Sequence, residues 1–114
     1  MIATQTVKVG KYRKVENNRI CLWNRNHLPA SGFPIGTPID IVVGRQHWGG
    51  AGEGTEKVLT ITIGNSDSRR KVSKVSNHGN TLPVIDLKGD IVHGMGTHVV
   101  VEYHENRILI RPVD

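Results

Sequence analysis

Residues 74–112 read KVSNHGNTLPVIDLKGDIVHGMGTHVVVEYHENRILIRP, and this stretch decides the fold. It contains three β-type runs, at residues 82–87, 97–103 and 107–111. The last two are separated only by the hairpin-length tripeptide at 104–106. The segment between the first and second runs has room for one short helical turn. A unit of this size cannot bury its own apolar face, so it must pack against a partner.

The partner is an earlier part of the same chain, because several residues of this stretch recur at a spacing of sixty. The matched pairs are Lys14 and Lys74, Leu22 and Leu82, Thr37 and Thr97, Ile39 and Val99, and Ile41 and Val101. A constant offset without gaps predicts an internal duplication. We therefore expect one domain, residues 1–114, built from repeats at about 10–64 and 65–112 that share one core across an approximate two-fold axis. Ile39, Ile41, Val99 and Val101 are then buried together.

Composition points to a mainly β protein with many turns, since the 114 residues include thirteen glycines and little helical periodicity. No apolar run approaches the roughly 18–20 residues of a membrane span, so no membrane association is expected. The N-terminus lacks a secretory apolar segment. The single cysteine, Cys21, lies in the apolar run at residues 20–23 and reads as a small buried filler. A chain without an internal disulfide favours a reduced, cytoplasmic setting.

The positive charge is concentrated in two windows. The formal net charge is +5, and ten of the fifteen Lys and Arg residues fall within residues 8–25 and 69–74. Glu16 is the one acid in either window, and Lys11 and Lys71 are again sixty residues apart. Such a concentration predicts a face that binds a polyanion. An ordinary solvated surface remains the alternative.

The sequence predicts no metal, no cofactor and no catalytic residue. His93 and His98 have ligand spacing only on a helix, which the intervening glycines oppose. The glycine-rich run at 49–54 lacks the Lys-Ser/Thr pair of a phosphate-binding loop. No Ser/His/Asp set stands in a recognisable context, although a hydrolytic site assembled from loops stays open.

Residues 44–56, GRQHWGGAGEGTE, replace the three-residue turn of the second copy with a segment ten residues longer. Arg and Trp are enriched at interaction hot spots. We therefore expect a mobile loop that presents Arg45, His47 and Trp48 to a protein partner. The alternative is that Trp48 folds back over the end of the fold.

The second copy resembles the swapped-hairpin domains of the AbrB and MazE type. The resemblance is carried by Arg70-Lys71-Val72 or Lys74-Val75, the turn Asn77-His78-Gly79-Asn80, the strand Leu82-Pro83-Val84-Ile85-Asp86-Leu87 and the closing hairpin. The first copy is similar to the related SymE branch through Leu28-Pro29-Ala30-Ser31-Gly32-Phe33 followed by Gly36-Thr37-Pro38-Ile39. In this family two units, usually from two chains, interlock into one small β-barrel. The resemblance implies a pseudo-two-fold swapped-hairpin barrel with short helical turns, formed here within one chain that is a monomer or a homodimer.

The resemblance also implies which residues contact DNA, namely basic residues near the first strand and its turn. At matching positions these are Lys11, Arg13, Lys14, Arg19, Arg25, Arg70, Lys71 and Lys74. The leading interpretation is a small DNA-binding regulator that contacts phosphates through paired basic strand edges, with duplex DNA favoured. The alternatives are an inhibitor or antitoxin-like factor that binds a protein through residues 44–56, and a SymE-like nuclease or toxin. The salt dependence of binding distinguishes the DNA-binding regulator from the protein-binding inhibitor, because phosphate binding weakens steeply as ionic strength rises.

Overall fold

The computed structural model describes the backbone of residues 1–48 and 54–113, and their side chains except at 46–48, 54, 55 and 77. The elements in chain order are β1 (Ala3–Lys8), β2 (Gly10–Tyr12), β3 (Val15–Leu22), α1 (His27–Ala30), β4 (Pro38–Trp48), β5 (Gly54–Ile63), β6 (Arg70–Lys71), β7 (Ser73–Asn77), β8 (Asn80–Lys88), a 3-10 turn (Gly89–Ile91), β9 (His98–His104) and β10 (Arg107–Pro112). The predicted mainly β fold with short helical turns is confirmed. Neither helical segment of the described chain is long and apolar enough to cross a bilayer.

The strands form two antiparallel sheets that share two corners. One sheet has the order β1-β9-β10-β5-β4-β6 and the other has the order β2-β3-β8-β7. The chain passes from β1 to β2 at Val9 and from β6 to β7 at Val72, and both valine side chains are buried. Strand pairing does not close the two sheets into one continuous barrel within the described residues, so in this respect the structure is more open than the predicted barrel.

Each sheet has a palindromic strand order. Exchanging β1–β5 for β6–β10 reproduces the same two sheets read from the other end. At the centre of each sheet a strand of one half pairs with its counterpart from the other half. Ile61 of β5 lies opposite Ile108 of β10, and Ile20 of β3 lies opposite Leu87 of β8.

Equivalent backbone hydrogen bonds occur in the two halves. The Val9 N–H donates to the Thr97 carbonyl and the Val72 N–H donates to the Thr37 carbonyl, both at 2.8 Å. Each of these bonds joins one half to the other. Thr37 and Thr97 therefore occupy equivalent places sixty residues apart, as the sequence predicts.

The predicted offset of sixty is wrong for the β2–β3 hairpin, which precedes Thr37 in the chain. The turn between β2 and β3, Arg13-Lys14, and the turn between β7 and β8, His78-Gly79, all have positive φ and are counterparts. The offset there is 65 residues, so Leu22 corresponds to Leu87, and both are buried. The predicted match of Leu22 with Leu82 fails because the connection after β3 is longer than the connection after β8.

One hydrophobic core joins the two halves. Its buried members include Leu28, Phe33, Leu59 and Ile61 from the first half and Val72, Ile85, Leu87, Met95, Val101, Tyr103, Ile108 and Ile110 from the second. Ile39 and Val99 are buried as predicted, whereas Ile41 is only partly buried against the core. Full burial of one Val, Leu, Ile, Phe or Met side chain stabilises a fold by about 1.5–3 kcal/mol. Cys21 is half-buried and faces away from this core, so its interpretation as a buried filler is wrong.

The predicted loop at residues 44–56 is largely a β-hairpin. β4 and β5 pair continuously from Ile39 opposite Ile63 to Trp48 opposite Gly54. Only residues 49–53 lie outside these strands, and they also lie outside the described residues. Glycine at position 44 does not end the ladder, because Gly44 still pairs with Val58. The extra residues therefore lengthen a hairpin instead of forming a free loop.

Candidate nucleic-acid interface

A cleft of about 710 Å³ opens where β6 approaches the sheet of β3, β8 and β7. Its charged lining is almost entirely positive. The cations are Arg19, Arg69, Arg70, Lys71, Lys74 and Lys88. Asp86 is the one carboxylate of the lining. We call this surface the basic cleft, and its charge attracts anions.

The pairing of β3 with β8 builds the floor of the basic cleft. Successive side chains of a strand point to opposite faces. On β3, Ile20 and Leu22 are buried, which leaves Arg19 facing outward. On β8 the register places Lys88 opposite Arg19 and Asp86 two residues away on the same face. Three charged side chains thus meet on the outward face of this sheet.

Arg19 and Asp86 form a bidentate ion pair. Arg19 Nε donates to Asp86 Oδ1 at 2.9 Å, and Arg19 Nη2 donates to Oδ2 at 2.8 Å. Lys88 Nζ lies 3.5 Å from the same Oδ2. Partial burial alone would raise the pKa of Asp86, but the hydrogen bond and charge of Arg19 together with Lys88 outweigh it and lower that pKa. The carboxylate therefore stays ionised, and it fixes the plane of the guanidinium.

Tyr12 connects the β2–β3 hairpin to the basic cleft. Its ring centroid lies 5.3 Å from Arg13 Cζ and 5.3 Å from Lys88 Nζ. Both distances fall within the range of cation–π attraction. Arg13 is therefore held near the rim of the cleft, although it does not line it.

The structure separates the eight predicted DNA-contacting residues into two groups. The group that lines the basic cleft consists of Arg19, Arg70, Lys71 and Lys74. The group outside the lining consists of Lys11, Arg13, Lys14 and Arg25. Within that second group Lys11 pairs with Glu16 at 3.5 Å, and Lys14 lies in the turn with positive φ.

The two basic windows flank the two corners of the fold. Lys8 and Lys11 stand on either side of the Val9 corner, as Lys71 and Lys74 stand on either side of the Val72 corner. At these corners Lys8 is therefore matched with Lys71, and the predicted match of Lys11 with Lys71 is wrong. The windows correspond, as predicted, but at an offset of 63.

Two cations and one exposed aromatic residue of the basic cleft were not predicted as site residues. Arg69 and Lys88 add to its charge, and Trp23 stands on its rim with 55% of its surface exposed. The alternation of β3 contained the signal for Trp23, because positions 19, 21 and 23 share the outward face. Lys88 required the register between β3 and β8, which the sequence does not show.

No family model, curated protein or solved structure matches the chain. Among the described residues, no group of three or more His, Cys, Asp or Glu side chains is placed to hold a metal ion.

The predicted partner-binding residues all lie on β4. Arg45 is exposed, whereas the side chains of His47 and Trp48 lie outside the described residues. β4 pairs with β6 only at Pro38 and Ile39, and beyond them its outer edge has no strand neighbour in the described part of the chain. Val42 and Val43 on this edge are 59% and 51% exposed.

Proposed function

We propose that this protein binds nucleic acid by contacting phosphates in the basic cleft. The observation that carries the proposal is the lining of six cations against one carboxylate. That carboxylate is already occupied by Arg19 and Lys88. No ion pair involves Arg69, Arg70, Lys71 or Lys74 among the described side chains, and Arg70, Lys71 and Lys74 are exposed. Phosphates satisfy such a surface and release their counterions on binding.

The resemblance to the AbrB, MazE and SymE group makes the proposal more specific. It favours DNA over RNA, duplex DNA as its form, and a regulatory role. We infer a swapped-hairpin arrangement of the two halves from the palindromic strand order and from the reciprocal bonds of Val9 to Thr97 and Val72 to Thr37. In that arrangement a single chain supplies both units.

A salt titration tests the proposal. Labelled duplex DNA, single-stranded DNA and RNA of one sequence are titrated with the protein at several salt concentrations. Each neutralised phosphate contributes a slope of about −0.9 to the plot of log affinity against log salt for a duplex. We expect a slope of several units for the preferred nucleic acid. A flat salt response, or no binding at low salt, would contradict the proposal.

A second candidate function is protein binding along the open edge of β4. The specific observation is an internal comparison, because β9, the counterpart of β4, is covered by β1 from Ala3–Tyr103 to Lys8–His98. β6 covers only two residues of β4. We propose that an extended segment of a partner protein pairs antiparallel with β4 beyond Ile39, as β1 pairs with β9.

Lysine on an edge strand discourages such pairing, so Val42→Lys tests this second candidate. The variant should abolish binding to a protein partner and leave nucleic-acid binding unchanged. Val15→Lys, at an exposed valine outside this edge, is the matched control. Partner binding that survives Val42→Lys would contradict pairing along β4. The nuclease alternative has no comparable observation in its favour.

A further inference from the structure

Trp23 is the one Trp, Tyr or Phe among the described side chains that lies mostly in solvent. It follows β3 directly, and the alternation after Arg19 and Cys21 turns it outward onto the rim of the basic cleft. A large aromatic side chain left in water at a charged cleft indicates a ligand with an apolar surface.

The backbone on both sides of Trp23 is fixed. Leu22 before it is buried in the core. Asn24 after it begins a tight turn, since its Oδ1 accepts hydrogen bonds from the Asn26 N–H at 2.9 Å and from the His27 N–H at 2.7 Å. The indole is therefore presented from a rigid position at the end of a strand, which lowers the conformational entropy lost when a ligand packs against it.

The basic cleft combines two kinds of surface. One wall carries the cations of residues 69–74, and the floor continues from Trp23 along Cys21, Val75 and Val84, with Val75 also exposed. A ligand that fits both kinds of surface carries repeated negative charges next to flat apolar groups. Nucleotides have this combination.

A duplex keeps the faces of its bases inside the stack, whereas a single strand exposes them. We propose that Trp23 stacks on an unpaired base and that the basic cleft takes a single-stranded segment of nucleic acid. This inference rests on the proposed function and changes the form of the ligand from the duplex that the resemblance favours. An anionic membrane also attracts cations and tryptophan, but a bilayer surface does not enter a concave cleft.

The test compares the wild type with Trp23→Ala and Trp23→Phe. Each protein is titrated with a labelled oligothymidylate and with a duplex of equal length at one low salt concentration. Loss of one base–aromatic stack lowers affinity by about fivefold to a hundredfold. We expect this loss for Trp23→Ala on the single strand, with less than a twofold change on the duplex. Trp23→Phe should keep most of the single-strand affinity.

The salt slope separates stacking from phosphate binding. Trp23→Ala removes no charge, so the slope for the oligothymidylate should stay unchanged while the affinity falls. Val15→Ala, at another exposed apolar residue of β3 that does not line the cleft, is the matched control and should bind as the wild type does. In a Trp48→Phe background, where Trp23 is the remaining tryptophan, the oligothymidylate should quench the indole fluorescence with the same dissociation constant.

Each contrary outcome has its own meaning. If the wild type binds the duplex at least as tightly and Trp23→Ala changes neither affinity, the inference is overturned and the proposed function stands. If neither oligonucleotide binds at low salt, the proposed function itself fails. If Trp23→Ala weakens binding to phosphatidylserine vesicles but not to the oligothymidylate, the ligand is a membrane surface and the inference is overturned.

Discussion

At the scale of single residues, Asp86 limits the positive charge of the basic cleft. Its carboxylate binds Arg19 and Lys88, and it would also repel an incoming phosphate. Asp86→Asn should therefore raise the affinity for nucleic acid several-fold and steepen the salt slope by up to about one unit. Glu105→Asn, in the β9–β10 turn, is the control. An unchanged or lower affinity would show that the orientation of Arg19 by Asp86 matters more than the freed charge.

Asp86 also links stability to acid pH. Its pKa is lowered in the folded state, since the bonds and charges of Arg19 and Lys88 outweigh the opposing effect of burial. The ionised form therefore stabilises the fold above the ordinary Asp pKa of about 3.9, and this contribution is lost as pH falls through the lower folded value. For a partly exposed pair it amounts to at most about 1 kcal/mol. Urea unfolding should give the wild type a higher free energy of unfolding than Asp86→Asn at neutral pH, and this difference should disappear in acid. A difference that persisted in acid would contradict the linkage.

Tyr103 links stability to alkaline pH in the opposite direction. Burial raises the pKa of its phenol to about 12, and its hydroxyl donates to Gln5 Oε1 at 2.8 Å. The unfolded chain loses the phenolic proton near pH 10, so stability falls as pH rises from about 10 toward the folded pKa. Tyr103→Phe should cost about 1 kcal/mol at neutral pH and should remove this part of the alkaline loss. Equal alkaline loss in both proteins, measured by denaturant unfolding, would contradict the assignment.

At the scale of elements, Lys57 joins β5 of the first half to the 3-10 turn of the second. Its Nζ donates to the carbonyls of Asp90 at 3.0 Å and His93 at 2.8 Å, and the side chain is buried. Lys57→Met keeps the apolar stem but leaves both carbonyls without this donor. We expect a loss of about 1.5–3 kcal/mol, against less than about 0.5 kcal/mol for the exposed control Lys11→Met. Equal losses in the free energy of unfolding for the two substitutions would contradict a stabilising role of Lys57.

The length of the β4–β5 hairpin is a second property at this scale. β10 pairs with β5 only between Leu59 and Thr62, so the outer part of the hairpin has no neighbouring strand on that side. Replacing residues 47–55 with the two-residue turn Glu105-Asn106 should leave the fold and the nucleic-acid affinity nearly unchanged. Thermal unfolding and a duplex titration check both. Loss of the fold would show that residues of the hairpin tip belong to the core.

Strand positions were predictable from the sequence, because alternation with a period of two is local and visible in each run. The offset of the β2–β3 hairpin was not predictable. The short sequence match of Lys14 with Lys74 indicates an offset of sixty, whereas the correct offset follows from which residues are buried, and only the folded chain reveals that. In the site, Arg70, Lys71 and Lys74 followed from local charge density. Lys88 depended on the register of β8 against β3, a relation between residues far apart in sequence. The alternation of β3 could have predicted that Trp23 faces outward, but its place at the end of an apolar run favours a buried position instead.

At the scale of the whole molecule, the two halves should fold only together. β5 pairs with β10 and β3 pairs with β8, so each half alone lacks the central partner of both sheets. Residues 1–64 and 65–114, prepared as separate chains, should each be unfolded by circular dichroism and should form the native sheets on mixing. Two halves that fold independently, or that do not assemble, would contradict the interlocked arrangement.

The central claim is that the basic cleft binds phosphates, and the salt dependence of one variant tests it most directly. The triple variant Arg70→Gln, Lys71→Gln, Lys74→Gln removes three charges from the cleft. Arg107→Gln, at an exposed residue that does not line the cleft, controls for a charge change elsewhere. For each phosphate that the variant no longer neutralises, the slope of log affinity against log salt should become shallower by about 0.9 on a duplex, or about 0.7 on a single strand. It should stay unchanged for Arg107→Gln. A triple variant that binds with the affinity and slope of the wild type would show that the cleft is ordinary solvated surface.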